Sequence, residues 1–199
     1  MGKHAVEIEV KLPYPGPAAA RTALRKAGFL VITRRAFETN VIYDTPSGSL
    51  RAKGIVVRYR TWGKAHIITY KGPAERAPGK LAGSVHKRRT ERETLVADGG
   101  PIVTTWEAAG LSPSFRYEKY RTVLARPRER GHAMLDETPI GTYVELEGSA
   151  SWIDRTARLL GFAPHLYIQD SYAALQSKAC VKQGLAFRDL IFPPDGKET

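Results

Sequence analysis

Charged residues two positions apart recur through the sequence, and they are the residues best placed to do chemistry. Side chains at alternate positions of residues 6–12 point to opposite faces of an extended strand. Glu7, Glu9 and Lys11 therefore share one face, and four apolar residues share the other. Carboxylates suit hard divalent cations, and lysine or arginine beside them suits phosphate groups. Taken alone, the stretch is also typical of an ordinary half-buried strand.

The same spacing returns in four more stretches, and this recurrence predicts more than a solvated sheet face. Two carboxylates at positions i and i+2 lie roughly 6.5 Å apart, and they repel by about 2–3 kcal/mol at an effective dielectric near 20. An exposed edge or an intervening cation relieves that cost. The pattern therefore predicts a closed barrel with a charged lumen and an apolar outside covered by helices. The further same-face charges are Arg58 and Arg60; Lys87, Arg89, Glu91 and Glu93; Lys119 and Arg121; Glu145 and Glu147.

The elements that must position these charges alternate along the chain. Dense β-branched and aromatic residues, separated by turn residues, predict eight strands, and proline starts and glycine ends predict helices. The fold class is therefore α+β, mainly antiparallel β, with a loop over 72–84. The predicted strands are 4–12, 34–45, 55–61, 64–71, 85–97, 115–126, 131–137 and 142–148, and the helices are 17–27, 101–109, 150–160 and 170–183.

Composition excludes several classes of protein. The 199 residues carry 31 Lys and Arg against 20 Asp and Glu, a net charge of +11 that predicts polyanionic partners. Cys180 is the single cysteine, so no internal disulfide forms and a reducing compartment is expected. No apolar run approaches the ~20 residues that span a bilayer. Because Glu7 and Glu9 lie where a signal peptide would be apolar, we expect a cytoplasmic protein.

The segment Glu7-x-Glu9-x-Lys11, followed by an ordered set of further segments, resembles the CYTH superfamily, also called triphosphate tunnel metalloenzymes. The resemblance covers about 4–176, and we expect a tunnel domain over 1–176 and a helix end and tail over 177–199. The matching segments are Tyr43-Asp44-Thr45 with Leu50-Arg51, Val57-Arg58-Tyr59-Arg60, Thr69-Tyr70-Lys71-Gly72-Pro73, Lys87-x-Arg89-x-Glu91-x-Glu93, Glu118-Lys119-x-Arg121, Leu135-Asp136-Glu137, residues 141–147 (GTYVELE), Leu160-Gly161-Phe162 and Ser171-Tyr172.

The resemblance implies an eight-stranded antiparallel tunnel that binds a triphosphate with Mg²⁺ or Mn²⁺. Carried over residue by residue, it implies one of two roles for Glu91 and Glu93, ligation of the metal or orientation of the basic residues by ion pairing, and the second, a supporting role, is favoured. It identifies no single general base. The implied metal ligands are Glu7, Glu9, Asp136, Glu145 and Glu147. The implied phosphate-binding residues are Lys11, Arg58, Arg60, Lys71, Lys87, Arg89, Lys119 and Arg121.

The Tyr-Lys-Gly-Pro segment and the strand from Lys87 to Glu93 are most similar to the class IV adenylyl cyclase branch. They favour cyclisation of ATP to cyclic AMP and pyrophosphate. The alternatives are hydrolysis of inorganic tripolyphosphate or of an organic (thiamine or nucleoside) triphosphate, and a non-enzymatic module that binds polyphosphate or nucleic acid. For the enzyme we expect a nucleoside triphosphate or tripolyphosphate as substrate, no membrane, no nucleic acid, and pairing into a homodimer as related tunnels often do.

Arg126, Arg128 and Arg130 surround a turn outside the tunnel pattern. Two interpretations remain open for them: a solvated hairpin tip, or a basic entrance that steers anions.

Overall fold

Eight antiparallel strands close into a barrel in this computed structural model, which describes residues 5–74 and 86–194. All eight predicted strands are confirmed. Around the barrel their order is β1-β5-β4-β3-β2-β6-β7-β8. Their bounds are β1 Ala5–Tyr14, β2 Leu30–Asp44, β3 Val56–Trp62, β4 Ala65–Ala74, β5 Lys87–Val96, β6 Ser112–Ala125, β7 His132–Thr138 and β8 Gly141–Glu147.

The pleat of β1 divides its residues as the sequence predicts. Val10 and Leu12 are fully buried beneath helices on the outer face, while Glu9 and Lys11 are buried on the inner face. β1 closes the barrel because its first half pairs with β5 and its second half with β8. A strand that pairs on both sides leaves no free edge and keeps its inner face out of bulk water.

Five helices pack outside the barrel wall in the described part of the chain. α1 begins at Pro17 and ends before Gly28, whose φ of +82° suits glycine. Ser149 and Ser171 cap α4 and α5 through their side-chain oxygens. The short α2, which the sequence did not predict, is held by Asp44, whose carboxylate accepts bonds from backbone N–H groups. The helices are α1 Pro17–Lys26, α2 Ser49–Ala52, α3 Gly100–Ala108, α4 Ala150–Leu159 and α5 Tyr172–Lys182, with a 3₁₀ turn at Pro164–Leu166.

The main hydrophobic core lies between the outer face of the barrel and helices α1 and α4. Each fully buried aliphatic side chain contributes about 1.5–3 kcal/mol to folding, so this core fixes the strands whose inner faces carry charge. Its members are Val10, Leu12, Ala20, Leu24, Phe29, Leu124, Ala133, Leu135, Val144, Leu146, Trp152, Ile153 and Ala157.

A second cluster joins the C-terminal segment to the barrel. Leu190 is 2% exposed, and its backbone bonds to Arg116 and Glu118 on the side of β6 that β7 leaves free. With α5 it packs on inward-facing aromatic residues of β6 and β8. The C-terminal segment is thus anchored to the barrel at Leu190, while residues 181–189 are exposed.

Strand β4 continues to Ala74, so the loop predicted from residue 72 begins later, and residues 75–85 lie outside the described residues. Within the described part of the chain, no helix has the length and apolar character to cross a membrane.

The charged lumen as the candidate functional site

The inner face of the barrel carries balanced charge. All the site residues expected from the sequence lie on strands whose lumen faces converge, and Glu38 joins them as a further acid. Eight acids therefore face eight bases among the described residues. The acids are Glu7, Glu9, Glu38, Glu91, Glu93, Asp136, Glu145 and Glu147. The bases are Lys11, Arg58, Arg60, Lys71, Lys87, Arg89, Lys119 and Arg121.

Lys11 lies between two carboxylates of the lumen. Its Nζ is 3.2 Å from Glu145 and 3.7 Å from Glu9, and Lys87 donates to Glu9 at 2.8 Å. Burial raises the pKa of Glu9, but the ammonium groups of Lys11 and Lys87 outweigh it and hold that pKa well below its ordinary value. Glu9 is therefore ionised at neutral pH.

Asp136 has no exposed surface and binds two bases at once. Lys119 Nζ donates to Oδ2 at 2.9 Å, and Arg121 reaches both carboxylate oxygens at 2.7 and 2.6 Å. Tyr172 of α5 adds a third donor at 2.6 Å. Arg121 also contacts Glu145, so it links the β7 carboxylate to the β8 carboxylate.

Glu38 and Asn40 are lumen residues that the sequence analysis missed. Glu38 is fully buried, 3.5 Å from Lys119 and 3.6 Å from Arg60, and Asn40 donates to it at 2.9 Å. Burial raises the pKa of Glu38, yet Lys119 and Arg60 hold it well below its ordinary value. The signal was present as a polar pair at i and i+2 within the predicted strand 34–45.

Arg58 is the centre of a further network. It donates to Glu93 at 2.9 Å, to Thr69 at 3.0 Å and to Tyr117 at 3.0 Å. Burial raises the pKa of Glu93, but Arg60 and Arg58 lower it to about 2 overall. The side chain of Glu93 is 38% exposed, so solvent reaches this part of the lumen.

Lys71 bridges two carboxylates near the N-terminal end of β1. It lies 2.6 Å from Glu7 and 3.1 Å from Glu91. Burial and the neighbouring carboxylates of Glu7 and Glu93 raise the pKa of Glu91 to about 8, against the opposing effect of Lys71. The positive charge of Lys71 therefore does not fully compensate the carboxylates of Glu7 and Glu91.

Arg89 differs from the other seven bases because it binds the backbone. Its guanidinium donates to the Gly72 carbonyl at 2.7 Å and also to the Gly54 carbonyl. These bonds tie the loop before β3 to strand β4. No carboxylate lies within ion-pair distance of Arg89 among the described residues.

Glu147 has no ion-pair partner among the residues that the structure describes. It lies directly opposite Glu9 across the β1–β8 pair, where like charges destabilise a sheet. Burial, followed by the charge of Glu7, raises the pKa of Glu147 to about 7. Across 5–74 and 86–194, no three acidic, His or Cys side chains form a ready-made metal cluster. The donor set nevertheless fits a hard divalent cation, because the carboxylates of Glu7, Glu9 and Glu145 lie on the same lumen face as Glu147, which has no paired base among the described residues.

One end of the lumen is packed with aromatic side chains. Tyr117, Tyr143 and Tyr172 are each under 10% exposed, and the Tyr172 ring contacts the other two. The amines of Lys11 and Lys119 lie 5.2 and 4.9 Å from the Tyr172 ring centre. The side chain of Glu93 is 38% exposed, against 2% for Lys119 and 4% for Lys11, so solvent reaches the lumen at Glu93. The lumen therefore combines bases, carboxylates and solvent access, which suits a polyanion with a cation.

Solved structures of similar fold cover nearly the whole chain. A proposed adenylate cyclase from Vibrio parahaemolyticus is 17% identical with a TM-score of 0.71, over 88% of this chain and 99% of that one. The PH1819 protein from Pyrococcus horikoshii OT3 is 17% identical with a TM-score of 0.68, over 87% and 99%. A proposed adenylyl cyclase from Hippeastrum, for which a dominant triphosphatase activity is described, is 15% identical with a TM-score of 0.59, over 91% and 96%.

No curated protein matches the sequence. The family model described as the CYTH domain matches residues 5–158, more than half of the chain and every strand of the barrel. With its closed antiparallel barrel and charged lumen, this protein belongs to the CYTH domain family.

Proposed function

We propose that this protein is a divalent-metal-dependent enzyme that binds a triphosphate in the barrel lumen and cleaves its phosphoanhydride chain. The observation that carries the proposal is the ring of buried acids and bases, in which most bases already face a carboxylate. A buried basic groove without acids would bind anions only. Acids among the bases give the same lumen a second, cation-binding capacity.

The bases are positioned before substrate enters. Carboxylates hold Arg121, Arg58 and Lys119 in fixed orientations, and a phosphate chain offers the same kind of acceptor oxygen in their place. Arginine binds such oxygens through paired N–H groups, and lysine binds them as a point charge. Fixed donors of this kind stabilise charge that develops on phosphate oxygens during transfer without reorganising.

Four carboxylates are proposed to hold the metal: Glu7, Glu9, Glu145 and Glu147. CYTH tunnel enzymes generally depend on a divalent metal, and we propose Mg²⁺ or Mn²⁺ here. When bound, such a cation neutralises phosphate charge and lowers the pKa of water. Asp136 was expected among the ligands, but its bonds to Lys119, Arg121 and Tyr172 support a positioning role instead.

Hydrolysis of the triphosphate is the reaction that the lumen supports best. Cyclisation of ATP requires the adenine and ribose to be held so that the 3′-hydroxyl attacks the α-phosphorus. The aromatic residues at the α5 end, however, are buried against one another, and Trp62, opposite Glu38 on the lumen face, is half-buried. Bases and carboxylates line most of the remaining lumen, which favours recognition of the phosphate chain over an organic group. Cyclisation remains the second candidate, favoured by the similarity of Lys87 to Glu93 to the cyclase branch.

One assay separates the two reactions. The protein is incubated with ATP or with inorganic tripolyphosphate, each with Mg²⁺ and with Mn²⁺, and cyclic AMP, pyrophosphate and phosphate are resolved. We expect phosphate from tripolyphosphate and no cyclic AMP. Cyclic AMP with pyrophosphate from ATP would instead establish cyclisation.

A variant tests whether the acids act in turnover. Glu7→Gln with Glu9→Gln should abolish turnover in a protein that circular dichroism shows to be folded, whereas Glu107→Gln with Glu137→Gln, two carboxylates outside the lumen, should retain activity. If the first pair turns over normally, the enzyme proposal is wrong. Anion binding with no turnover by the wild-type protein under any metal would indicate a binding module instead.

A further inference from the structure

We propose that the protein binds an inorganic oligophosphate at a second site, outside the barrel lumen, in a hollow between the β6–β7 hairpin and the start of α4. The hollow encloses about 420 Å³, a volume in the range of small-ligand sites. The proposal is independent of the reaction performed in the tunnel. Its lining residues are Arg128, Glu129, Arg130, Gly131, Ser149, Trp152 and Arg155.

Three arginines around the hollow have no counter-charge. Arg128, Arg130 and Arg155 make no side-chain hydrogen bond or ion pair with another residue in the described ranges. All three are exposed, so their guanidinium groups are available to a ligand. Guanidinium binds phosphate through paired N–H donors, and three of them around one hollow suit an anion with more than one phosphate group.

The acid in the hollow is already neutralised. Glu129 forms an ion pair with Arg126 at 2.9 Å and accepts a hydrogen bond from the indole N–H of Trp152. Its carboxylate therefore does not repel an incoming anion as a free one would. Once Glu129 and Arg126 compensate each other, the three unpaired arginines leave a net charge of +3 beside the hollow.

Trp152 gives the hollow a wall but little stacking surface. The ring is 5% exposed because it packs against Gly131 and Gly148, where an added Cβ would come within 2.3 and 3.0 Å of it. A nucleoside would require an exposed aromatic or apolar face. Charge without such a face selects an inorganic chain such as pyrophosphate or tripolyphosphate.

The first turn of α4 adds donors to the arginines. Ser149 caps the helix at its N-terminus, where unpaired backbone N–H groups and the helix dipole favour anions. Ser149 follows Glu147 by two residues, so the hollow lies at the end of the strand that carries a proposed metal ligand. In this proposal the arginines bind an anion and do not only form a solvated hairpin tip.

The test counts binding equivalents. Isothermal titration with tripolyphosphate in EDTA should give the wild-type protein one equivalent more than Arg128→Ala/Arg130→Ala/Arg155→Ala, whatever the metal-free lumen binds. The matched control Arg25→Ala/Arg34→Ala/Arg158→Ala removes the same charge from other exposed positions and should bind as many equivalents as the wild-type protein.

Other outcomes overturn the proposal. The same number of equivalents in the wild-type protein and the hollow variant, or equal loss in both triple variants, would mean that no specific site exists. If the number of equivalents is unchanged in the hollow variant and its turnover falls only at low salt, the arginines merely attract substrate to the tunnel. Circular dichroism checks that the hollow variant is folded. If it is not, the test is the change in the amide NMR shift of Gly131 when pyrophosphate is added to the wild-type protein. An unchanged shift rejects the site.

Discussion

Tyr172 donates a hydrogen bond of 2.6 Å to the Asp136 carboxylate, and so connects the first residue of helix α5 to a fully buried acid of β7. The same carboxylate holds Lys119 and Arg121. Burial, followed by the charge of Asp136, raises the pKa of the Tyr172 hydroxyl well above its ordinary value. The hydroxyl therefore stays protonated, and the C-terminal helix helps to orient two bases proposed to bind phosphate.

Tyr172→Phe removes this bond and keeps the ring. Because the bond is made to a charged group, we expect the free energy of unfolding to fall by about 1.5–3 kcal/mol. Tyr14→Phe is the matched control, since the Tyr14 hydroxyl is buried and has no hydrogen-bond partner among the described residues. It should be neutral or slightly stabilising. Urea unfolding measures both, and equal effects would contradict the role of the Tyr172 hydroxyl.

Asp136→Asn leaves Lys119 and Arg121 buried with less compensation. Breaking a buried charge pair in this way costs about 3–5 kcal/mol. Glu137→Gln, the next residue on the opposite face, loses ion pairs to exposed Arg35 and Arg21 and should cost under about 1 kcal/mol. Urea unfolding of the two variants gives the comparison. A loss of turnover with unchanged stability in Asp136→Asn would favour a metal-ligand role over positioning.

Glu147 makes the stability of the metal-free protein depend on pH. Its folded pKa of about 7 lies above the ordinary value of 4.5, so the folded chain keeps a proton that the unfolded chain releases. The contribution of Glu147 to the free energy of unfolding is fully present below pH 4.5 and is lost as the pH rises toward 7. Glu147→Gln cannot titrate, and should exceed the wild-type protein in stability at pH 8 by on the order of 1–3 kcal/mol. Urea unfolding in EDTA from pH 5 to 8 tests this, and parallel curves would refute it.

Mg²⁺ or Mn²⁺ should stabilise the wild-type fold if these carboxylates hold a metal. A cation at 100 times its Kd adds about 2.7 kcal/mol, visible as a rise in Tm. Glu147→Gln should lose most of that rise, and Glu137→Gln should keep it. A rise of equal size in both variants would place the metal elsewhere.

Leu190→Ala tests whether the C-terminal segment is part of the barrel. The side chain is 2% exposed within the aromatic cluster, and we expect a loss of about 2–5 kcal/mol. Ile191 is 49% exposed, so Ile191→Ala should have a small effect. Thermal and urea unfolding compare the two, and similar small losses would mean that the segment is only loosely attached.

Local alternation determined most of the fold and the lumen from the sequence alone. A pleated strand sends alternate side chains to opposite faces whatever its partners are. Glu7, Glu9 and Lys11 were therefore assigned to one face, as were Arg58 with Arg60 and Lys119 with Arg121. Glu38 and Asn40 have the same spacing of two positions, but the pair resembles an ordinary polar strand face.

Tertiary structure decided which charge meets which. Glu9 pairs with Lys87, 78 residues away, because β1 lies beside β5 in a register that closure of the barrel sets. Arg89 shares the parity of Lys87 but binds backbone carbonyls, and Tyr172 enters from a helix that carries no strand pattern. Partner choice depends on strand order, register and helix packing. Those are properties of the whole chain. The long-range contacts offset the entropy lost on closing the barrel only when they form together.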